Sequence, residues 1–348
     1  MSPYMTMIFL FSLGLGTAVT FSSSHWMLAW MGLEMNTLAI VPLMARHRHP
    51  RAVEATTKYF LLQATAAATI LFASTINAWM TGEWNIQQTS HIFTTTLITL
   101  ALALKIGLAP FHMWLPEVLQ GLDLVTGLLL STWQKLAPFV LILQIQPTNS
   151  STLISLGLIS TLVGGWGGLN QTQLRKLLAY SSIAHLGWMI LVIQYSPSLT
   201  LLTLILYIGM TISLFLTLNL NTTTSINAMA TSWTKAPLLA AMAPLLLLSL
   251  GGLPPLSGFM PKWLILQELT KQNVPFTATM AAMTALLSLY FYLRLSYSMT
   301  LTMSPNNLTG STPWRLHSSQ PTLMLSAAST ITVLLLPLTP TAIMMLLL

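Results

Sequence analysis

GLAPFHMWLP at residues 107–116 is the stretch of this sequence that decides the fold. Its pattern, G-L-x-P-x5-P, returns 145 residues later as GLPPLSGFMP at residues 252–261. Proline removes a backbone donor and clashes with the preceding helical turn, and glycine loosens a helix. Each copy lies within an apolar segment. The sequence therefore predicts two broken helices at matching positions in the two halves of the chain.

The composition of the whole chain is typical of a protein that crosses a membrane many times. Only 5% of the 348 residues are charged, against about 25% in an average soluble domain. Apolar stretches of about 20 residues, the length that crosses a bilayer, recur from end to end. We therefore predict an all-α integral membrane protein.

The apolar stretches predict about eleven transmembrane helices, of which the fourth and the ninth contain the breaks. The eleven segments are 3–21, 25–45, 54–80, 94–115, 124–146, 151–169, 174–194, 199–219, 237–269, 275–299 and 322–347. Because the ninth span comes an odd number of crossings after the fourth, the two copies run through the membrane in opposite directions. The sequence thus predicts a single membrane domain (1–348) with an inverted five-helix repeat (1–146 and 151–299) and a C-terminal helix (322–347).

The distribution of basic residues predicts the orientation of the chain. Connectors after even-numbered spans carry most of them, namely Arg46, Arg48, Arg51, Arg175, Lys176, Lys235 and Arg315. Connectors after odd-numbered spans carry only Lys271. The positive-inside rule then places the even-numbered connectors and the N-terminus on the inner side, and the C-terminus on the outer side.

Several kinds of binding site are excluded by the sequence. The net charge of +7 comes from basic residues that are scattered or sit in short connectors, so no nucleic-acid surface is predicted. There is no cysteine, which excludes disulfides and iron–sulfur clusters held by thiolates. No strand–GxGxxG–helix unit, P-loop or HExxH motif is present. We predict that this chain binds no cofactor and no metal.

Six ionisable residues lie inside predicted spans and away from their ends: Glu34, Lys105, His112, Lys135, His185 and Lys262. A charge at the bilayer centre costs about 2.5–3.5 kcal/mol, so such groups are usually functional or paired. Burial disfavours the ammonium form of lysine and a nearby carboxylate favours it, so a buried lysine can exchange protons, whereas arginine stays charged. The pattern predicts proton translocation, with a relay made of Glu34, Lys105, Lys135, Lys262 and His112.

Plainer interpretations of some charged residues stay open. Glu34 can be only the structural counter-ion of a lysine, and Lys262 can reach a membrane interface with its long side chain. Glu54 and Lys58, four residues apart at a helix start, have the spacing of a stabilising pair. The sequence does not assign roles to His185, Glu117 and Asp123.

The motifs resemble those of a known family when they are taken as a set. KIGLAPFHMWLPE (105–117) and WQKLAP (133–138) resemble the antiporter-like subunits of respiratory complex I and their cation/proton antiporter relatives. The resemblance narrows to the subunit 2 family of vertebrate mitochondrial NADH:ubiquinone oxidoreductase through GLNQTQLRKLLAYSSIAHLGW (168–188), SLGGLPPLSGFMPKW (249–263), HW (25–26) and GLEMN (32–36). It covers essentially the whole chain. One departure is Glu117 with Val118, since larger antiporter-like subunits commonly carry small residues or histidine shortly after the Trp-Leu-Pro, so the resemblance does not assign the inner proton entry.

The resemblance implies a role for each relay residue. Glu34 would pair with Lys105 on the broken fourth span, and Lys135 would be the central relay on the fifth. Lys262 would be the terminal relay on the broken ninth span, and His112 would line the hydrated axis. A structural membrane scaffold and an autonomous cation/proton antiporter remain as alternatives.

The resemblance also implies where the chain is located and which subunits and lipids are its partners. NADH, FMN, iron–sulfur clusters and ubiquinone would belong to other subunits, so the chain would act in the enzyme without holding a redox centre. Its partners would be other subunits of complex I, including neighbouring antiporter-like and small membrane subunits, and membrane lipids. It would be a multi-pass protein of the mitochondrial inner membrane, with the N-terminus in the matrix and the C-terminus in the intermembrane space.

Overall fold

The computed structural model describes residues 2–46, 49–89, 91–145, 150–234, 236–301, 322–341 and 344. Three of the residues that predict the orientation, Arg48, Lys235 and Arg315, lie outside this described part. The last residues of the predicted eleventh span, 345–347, also lie outside it. The chain divides into two compact units, Met1–Leu156 and Gly157–Leu348.

The first unit is built from helices that follow the predicted spans one to five. They are α1 (Pro3–Ser22), α2 (Trp26–Met44), α3 (Pro50–Thr81), α4 (Ile92–Ile106), α5 (Trp114–Gly121), α6 (Leu124–Ser131) and α7 (Trp133–Ile145). Its core is apolar, with fully buried Trp26, Ile40, Ile98 and Phe139. Helix α4 packs between α3 and α7. These contacts bring the third, fourth and fifth predicted spans together.

The fourth predicted span is broken where the sequence predicts it. Helix α4 ends at Gly107, whose φ of 85° is in the left-handed region that favours glycine. A non-helical segment follows, and the chain becomes helical again at Trp114. Gly107 therefore ends the helix within an apolar span.

The fifth predicted span differs from its prediction as one continuous helix, since α6 ends and α7 begins around Thr132. The hydroxyls of Ser131 and Thr132 both donate to the carbonyl of Leu128, at 3.0 and 2.7 Å. The backbone N–H of Thr132 still donates to the carbonyl of Leu128 at 3.0 Å, and the N–H of Lys135 donates to the carbonyl of Thr132 at 3.3 Å. The interruption is therefore confined to Thr132, and Pro138 lies inside α7.

The second unit also contains a helix that is terminated by a glycine. Its helices are the end of α8 (Ser150–Gly168), α9 (Leu174–Val192), α10 (Pro197–Asn221), α11 (Ile226–Ala230), α12 (Pro237–Gly251), α13 (Phe259–Lys271), α14 (Pro275–Thr300) and α15 (Leu323–Leu334). Helix α12 ends at Gly252, whose φ is 81°. The ninth predicted span is therefore broken at the residue that matches Gly107.

Among the described residues, seven segments are long and apolar enough to cross a membrane. They are Pro3–Ser22, Trp26–Met44, Pro50–Thr81, Leu124–Ile145, Ser150–Gly168, Pro197–Asn221 and Pro275–Thr300. Shorter apolar helices cover parts of the fourth, ninth and eleventh predicted spans. The seventh predicted span is α9, in which Arg175 and Lys176 lower the hydropathy. The chain is thus a multi-pass membrane protein, while the number eleven and the inverted repeat stay predictions.

Candidate functional site

The carbonyls at the end of α4 are bound by side chains from two other helices. The indole nitrogen of Trp114, on α5, donates to Leu104 O at 3.1 Å. The amide nitrogen of Gln63, on α3, donates to Lys105 O at 3.3 Å. Backbone carbonyls in an apolar interior need such partners, because an unpaired one costs several kcal/mol. The break is therefore fixed in place, and with it the last turn of α4, which carries Lys105.

Lys105 on α4 and Lys135 on α7 line the same small buried cavity. Their side chains are 6% and 3% exposed. The cavity has about 10 Å³ of room for the centre of a water molecule, which is close to the space that one water needs. The other polar residues of its lining are Asn36, Thr37, Tyr59, Gln63 and Gln134. Two lysines from separate helices thus meet at one polar site inside the first unit.

Glu34 lies near this site without entering the cavity lining. One of its carboxylate oxygens accepts a hydrogen bond from the hydroxyl of Thr37 at 3.0 Å. Among the described residues, no group accepts a hydrogen bond from Lys105 Nζ. The structure therefore shows no direct hydrogen bond between Lys105 and Glu34, whose carboxylate binds Thr37 on its own helix.

His112 lies in the segment between α4 and α5. Its side chain is 7% exposed, and its Nδ1 is 3.3 Å from Pro110 O. It is not part of the lining of the Lys105–Lys135 cavity. The structure thus places His112 in the break, beside the relay lysines in sequence but outside their shared cavity.

Lys262, in the second unit, binds the break of its own half directly. Its Nζ donates to Gly251 O at 2.7 Å, so the ammonium group caps a carbonyl at the end of α12. The side chain is partly buried and also lines an apolar groove of about 300 Å³. His185, also in this unit, has its ring against Tyr207, with centroids 5.6 Å apart. Lys262 is therefore held at a helix break, as the sequence predicts.

Two groups of residues were not assigned a role by the sequence. Gln63 is 3% exposed and lies in the middle of an apolar helix, and this unusual position is a signal that sequence reasoning could have used. Lys58 binds Glu54, as their spacing predicts, but it also binds Glu117 on α5 at 2.8 Å. The second contact joins residues 59 positions apart, so no local pattern indicates it. Asp123 directly precedes α6.

Comparisons with known proteins identify the family of this chain. Residues 23–288 match the family model described as "NADH:quinone oxidoreductase/Mrp antiporter, TM", and residues 289–343 match "NADH dehydrogenase subunit 2 C-terminus". The chain is 70% identical to NADH-ubiquinone oxidoreductase chain 2 of Tetraodon nigroviridis over 340 residues, which is 98% of each chain. It is also 70% identical to that of Salmo salar over 341 residues, again 98% of each chain.

A solved structure has a three-dimensional fold similar to that of this chain. A chain of respiratory complex I from Thermus thermophilus with bound aureothin superposes with a TM-score of 0.87 at 28% identity. The match covers 99% of this chain and 80% of that chain. The chain has breaks at Gly107 and Gly252, buried lysines beside the first break, and relatives of 70% identity along nearly its whole length. It therefore belongs to the NADH-ubiquinone oxidoreductase chain 2 family, whose members are antiporter-like membrane subunits of respiratory complex I.

Proposed function

We propose that this chain translocates protons across the mitochondrial inner membrane, with Lys105, Lys135 and Lys262 as the relay and Glu34 and His112 in support. The movement is coupled to electron transfer from NADH to ubiquinone in other subunits of the complex, which hold the FMN and the iron–sulfur clusters. The N-terminus lies in the matrix and the C-terminus in the intermembrane space. The observation that carries this proposal is the single buried cavity that Lys105 and Lys135 share.

The shared cavity gives the two lysines a way to exchange a proton. Lys105 Nζ is buried without a hydrogen-bond partner among the described residues, and the cavity has room for about one water. Two ammonium groups in a low-dielectric site repel each other, so a proton that arrives on one favours release from the other. Moving one charge across 100 mV requires about 2.3 kcal/mol. The repulsion between two ammonium groups inside a low-dielectric cavity is of the size that moving a proton against the membrane potential requires.

Neutral polar side chains bind each of the two lysine-bearing helices to a neighbouring helix. Gln63 holds the carbonyl of Lys105, and Gln134, next to Lys135, donates to the carbonyl of Asn36 on α2 at 3.1 Å. No carboxylate is among the residues that line the cavity. Sodium is a hard cation that prefers oxygen ligands such as carboxylates. The lining therefore supports proton exchange over the sodium/proton antiporter alternative.

Replacing Lys262 with arginine tests the proposal. Arginine keeps the positive charge and can still donate to the carbonyl of Gly251, but it does not release its proton. We expect Lys262→Arg to leave the complex assembled and to lower proton pumping driven by NADH oxidation. The loss should be smaller than at Lys135, because Lys262 is only partly buried whereas Lys135 is 3% exposed. The measurement is the number of protons pumped per NADH by the complex in liposomes.

Lys271→Arg is the matched control, since Lys271 is an exposed lysine on the same helix, 4.0 Å from Glu268. Its pumping should equal that of the native complex. If Lys262→Arg also pumped at the native level, the scaffold alternative would be favoured. Pumping that required sodium in the native complex would favour the antiporter alternative.

A further inference from the structure

Two of the helices that line the lysine cavity, α2 and α3, begin with a histidine cap. The backbone N–H of Met27 donates to Nδ1 of His25 at 3.2 Å at the start of α2. The backbone N–H of Arg51 donates in the same way to Nδ1 of His49 at 3.3 Å at the start of α3. Serine, threonine, asparagine and aspartate are the residues preferred at this position, because their oxygens accept from the first turn. A histidine cap differs from these caps in its response to pH.

A cap that is made by Nδ1 requires the neutral form of histidine. The backbone N–H is a donor, so the ring nitrogen that it binds carries no proton. The imidazolium form has two N–H donors and no acceptor, so protonation removes the cap. Protonation also places a positive charge at the positive end of the helix dipole. Because histidine changes charge within about pH 5–8, the cap is lost within the physiological range.

The ring of His25 is half-buried at the end of α2 and packs on the connector between α3 and α4. It is stacked on the ring of Trp84, with centroids 5.6 Å apart and an angle of 10° between the planes. Trp26 N donates to Trp84 O at 3.0 Å, and Ile86 N donates to Ser24 O at 3.0 Å. The cap therefore lies where the first turn of α2 is joined to the neighbouring connector.

Few titratable groups surround His25. The connector that packs against it contributes Glu83 and His91, and both side chains are exposed. The last turns of α1 and α7 and the segment Ile86–Gln88 contribute none. His25 is thus the titratable group in direct contact with the start of α2 in the described part of the chain.

The cap and part of the cavity lining belong to one continuous helix, α2. Three residues of this helix line the cavity of the relay lysines, namely Leu33, Asn36 and Thr37. The carbonyl of Asn36 also accepts from the side chain of Gln134, the neighbour of Lys135, at 3.1 Å. Packed, rigid helices of this kind carry coupling between distant sites. A change at the first turn of α2 therefore reaches the cavity through the helix itself.

The two histidine caps lie on opposite sides of the membrane. Helix α2 has 19 residues, which corresponds to about 28 Å at a rise of about 1.5 Å per residue and is close to the hydrocarbon thickness of about 30 Å. His25 precedes this crossing and His49 follows it. In the orientation of the proposed function, His25 faces the side to which protons are pumped.

We propose that His25 is a pH sensor that slows pumping when protons accumulate on the side to which they are moved. This inference rests on the proposed function. At neutral pH the ring accepts from Met27 N and holds the first turn of α2. In acid, hydronium gives a proton to Nδ1, an N–H bond forms there, and the bond to Met27 N is lost. Return of that proton to water restores the cap, so the response is reversible.

A merely structural cap is the competing explanation. His25→Asn separates the two, because asparagine caps a helix well and does not titrate. A structural cap predicts that His25→Asn matches the native complex at every pH. The sensor predicts that the two match near neutral pH and diverge in acid, where the native complex comes to resemble the uncapped variant His25→Ala.

The test uses the complete complex in liposomes with a strongly buffered lumen, driven by NADH from outside, so that the lumen is the side that receives protons. The lumen is set to about pH 7.5 or about pH 5.5, on either side of the histidine range. We expect His25→Asn to pump like the native complex at the higher pH. At the lower pH it should pump faster by about twofold or more, which is the effect of a cap of ordinary strength on an equilibrium.

Two matched controls identify the residue and the side. His91 precedes α4 on the same side as His25, and its side chain makes no cap bond to that helix. His49 makes the same type of cap on the opposite side. We expect His91→Asn and His49→Asn to keep the native response to the pH of the lumen.

Hydrogen–deuterium exchange of the segment that contains Met27 gives a readout that does not depend on pumping. After correction for the intrinsic effect of pH, exchange in acid should be faster in the native complex than in His25→Asn. Equal exchange in acid, or an equal response of pumping to the pH of the lumen, would overturn the inference. Native pumping in Lys135→Met would instead reject the proposed function, and the exchange result would still decide whether the cap of α2 opens in acid.

Discussion

Complex I that carries Lys135→Met in this chain is expected to assemble and to pump fewer protons per NADH than the native complex. Lys135 is 3% exposed and lines the cavity that it shares with Lys105. Methionine has a similar length and adapts to irregular space, but it cannot hold a proton. Its uncharged side chain also avoids the desolvation cost of a buried charge. The variant therefore removes the proton-exchanging group and keeps a side chain of similar length in its place.

Pumping and assembly must be measured on the same preparation of the Lys135→Met complex. The quantities are the amount of assembled complex, the rate of NADH oxidation and the acidification that an uncoupler abolishes. Lys271→Met is the matched control, because the side chain of Lys271 is 61% exposed and lies at the end of a helix. Native proton yield in an assembled Lys135→Met complex would show that the first unit carries no essential relay.

The second large effect is expected at Gly258, in the break of the second unit. A Cβ at this position would overlap the backbone carbonyl of Ser249. That carbonyl accepts from Gly252 N at 3.0 Å, so it cannot shift without disturbing the end of α12. We expect Gly258→Ala to lower the free energy of unfolding by about 1–3 kcal/mol, the range for overpacking a well-packed interior. The amount of assembled complex should fall accordingly.

Gly251→Ala is the control for Gly258→Ala, since both glycines belong to the same break. A Cβ at Gly251 would have its nearest neighbours in Tyr292 at 3.7 Å, an ordinary contact distance. Thermal unfolding of the purified complex and the yield of assembled complex measure both variants. Equal stability of the two variants would mean that the close approach at Gly258 does not determine the break.

The helix breaks were predictable from the sequence because their cause is local. Glycine and proline act on the turn in which they stand, and the left-handed φ angles occur at Gly107 and Gly252, the first residues of the repeated motif. Burial of Lys105 and Lys135 was also predictable, since both lie deep inside apolar segments. Their roles as relays stay predictions.

Other features depend on contacts between distant residues, and no local pattern indicates them. The contact between Glu117 and Lys58 forms only because α5 lies against α3. The interruption at Thr132 has no glycine or proline at that position to indicate it, and Pro138 lies inside α7. Glu34 bonds to Thr37 on its own helix, so its direct pairing with Lys105 is not formed.

Proton exchange between Lys105 and Lys135 requires water in the cavity that both residues line. The decisive measurement is a map of the assembled complex that resolves ordered water. We expect a water within hydrogen-bond distance of Lys105 Nζ, in the cavity that Lys135 also lines. A dry cavity, or ammonium groups that face lipid instead of each other's site, would contradict it.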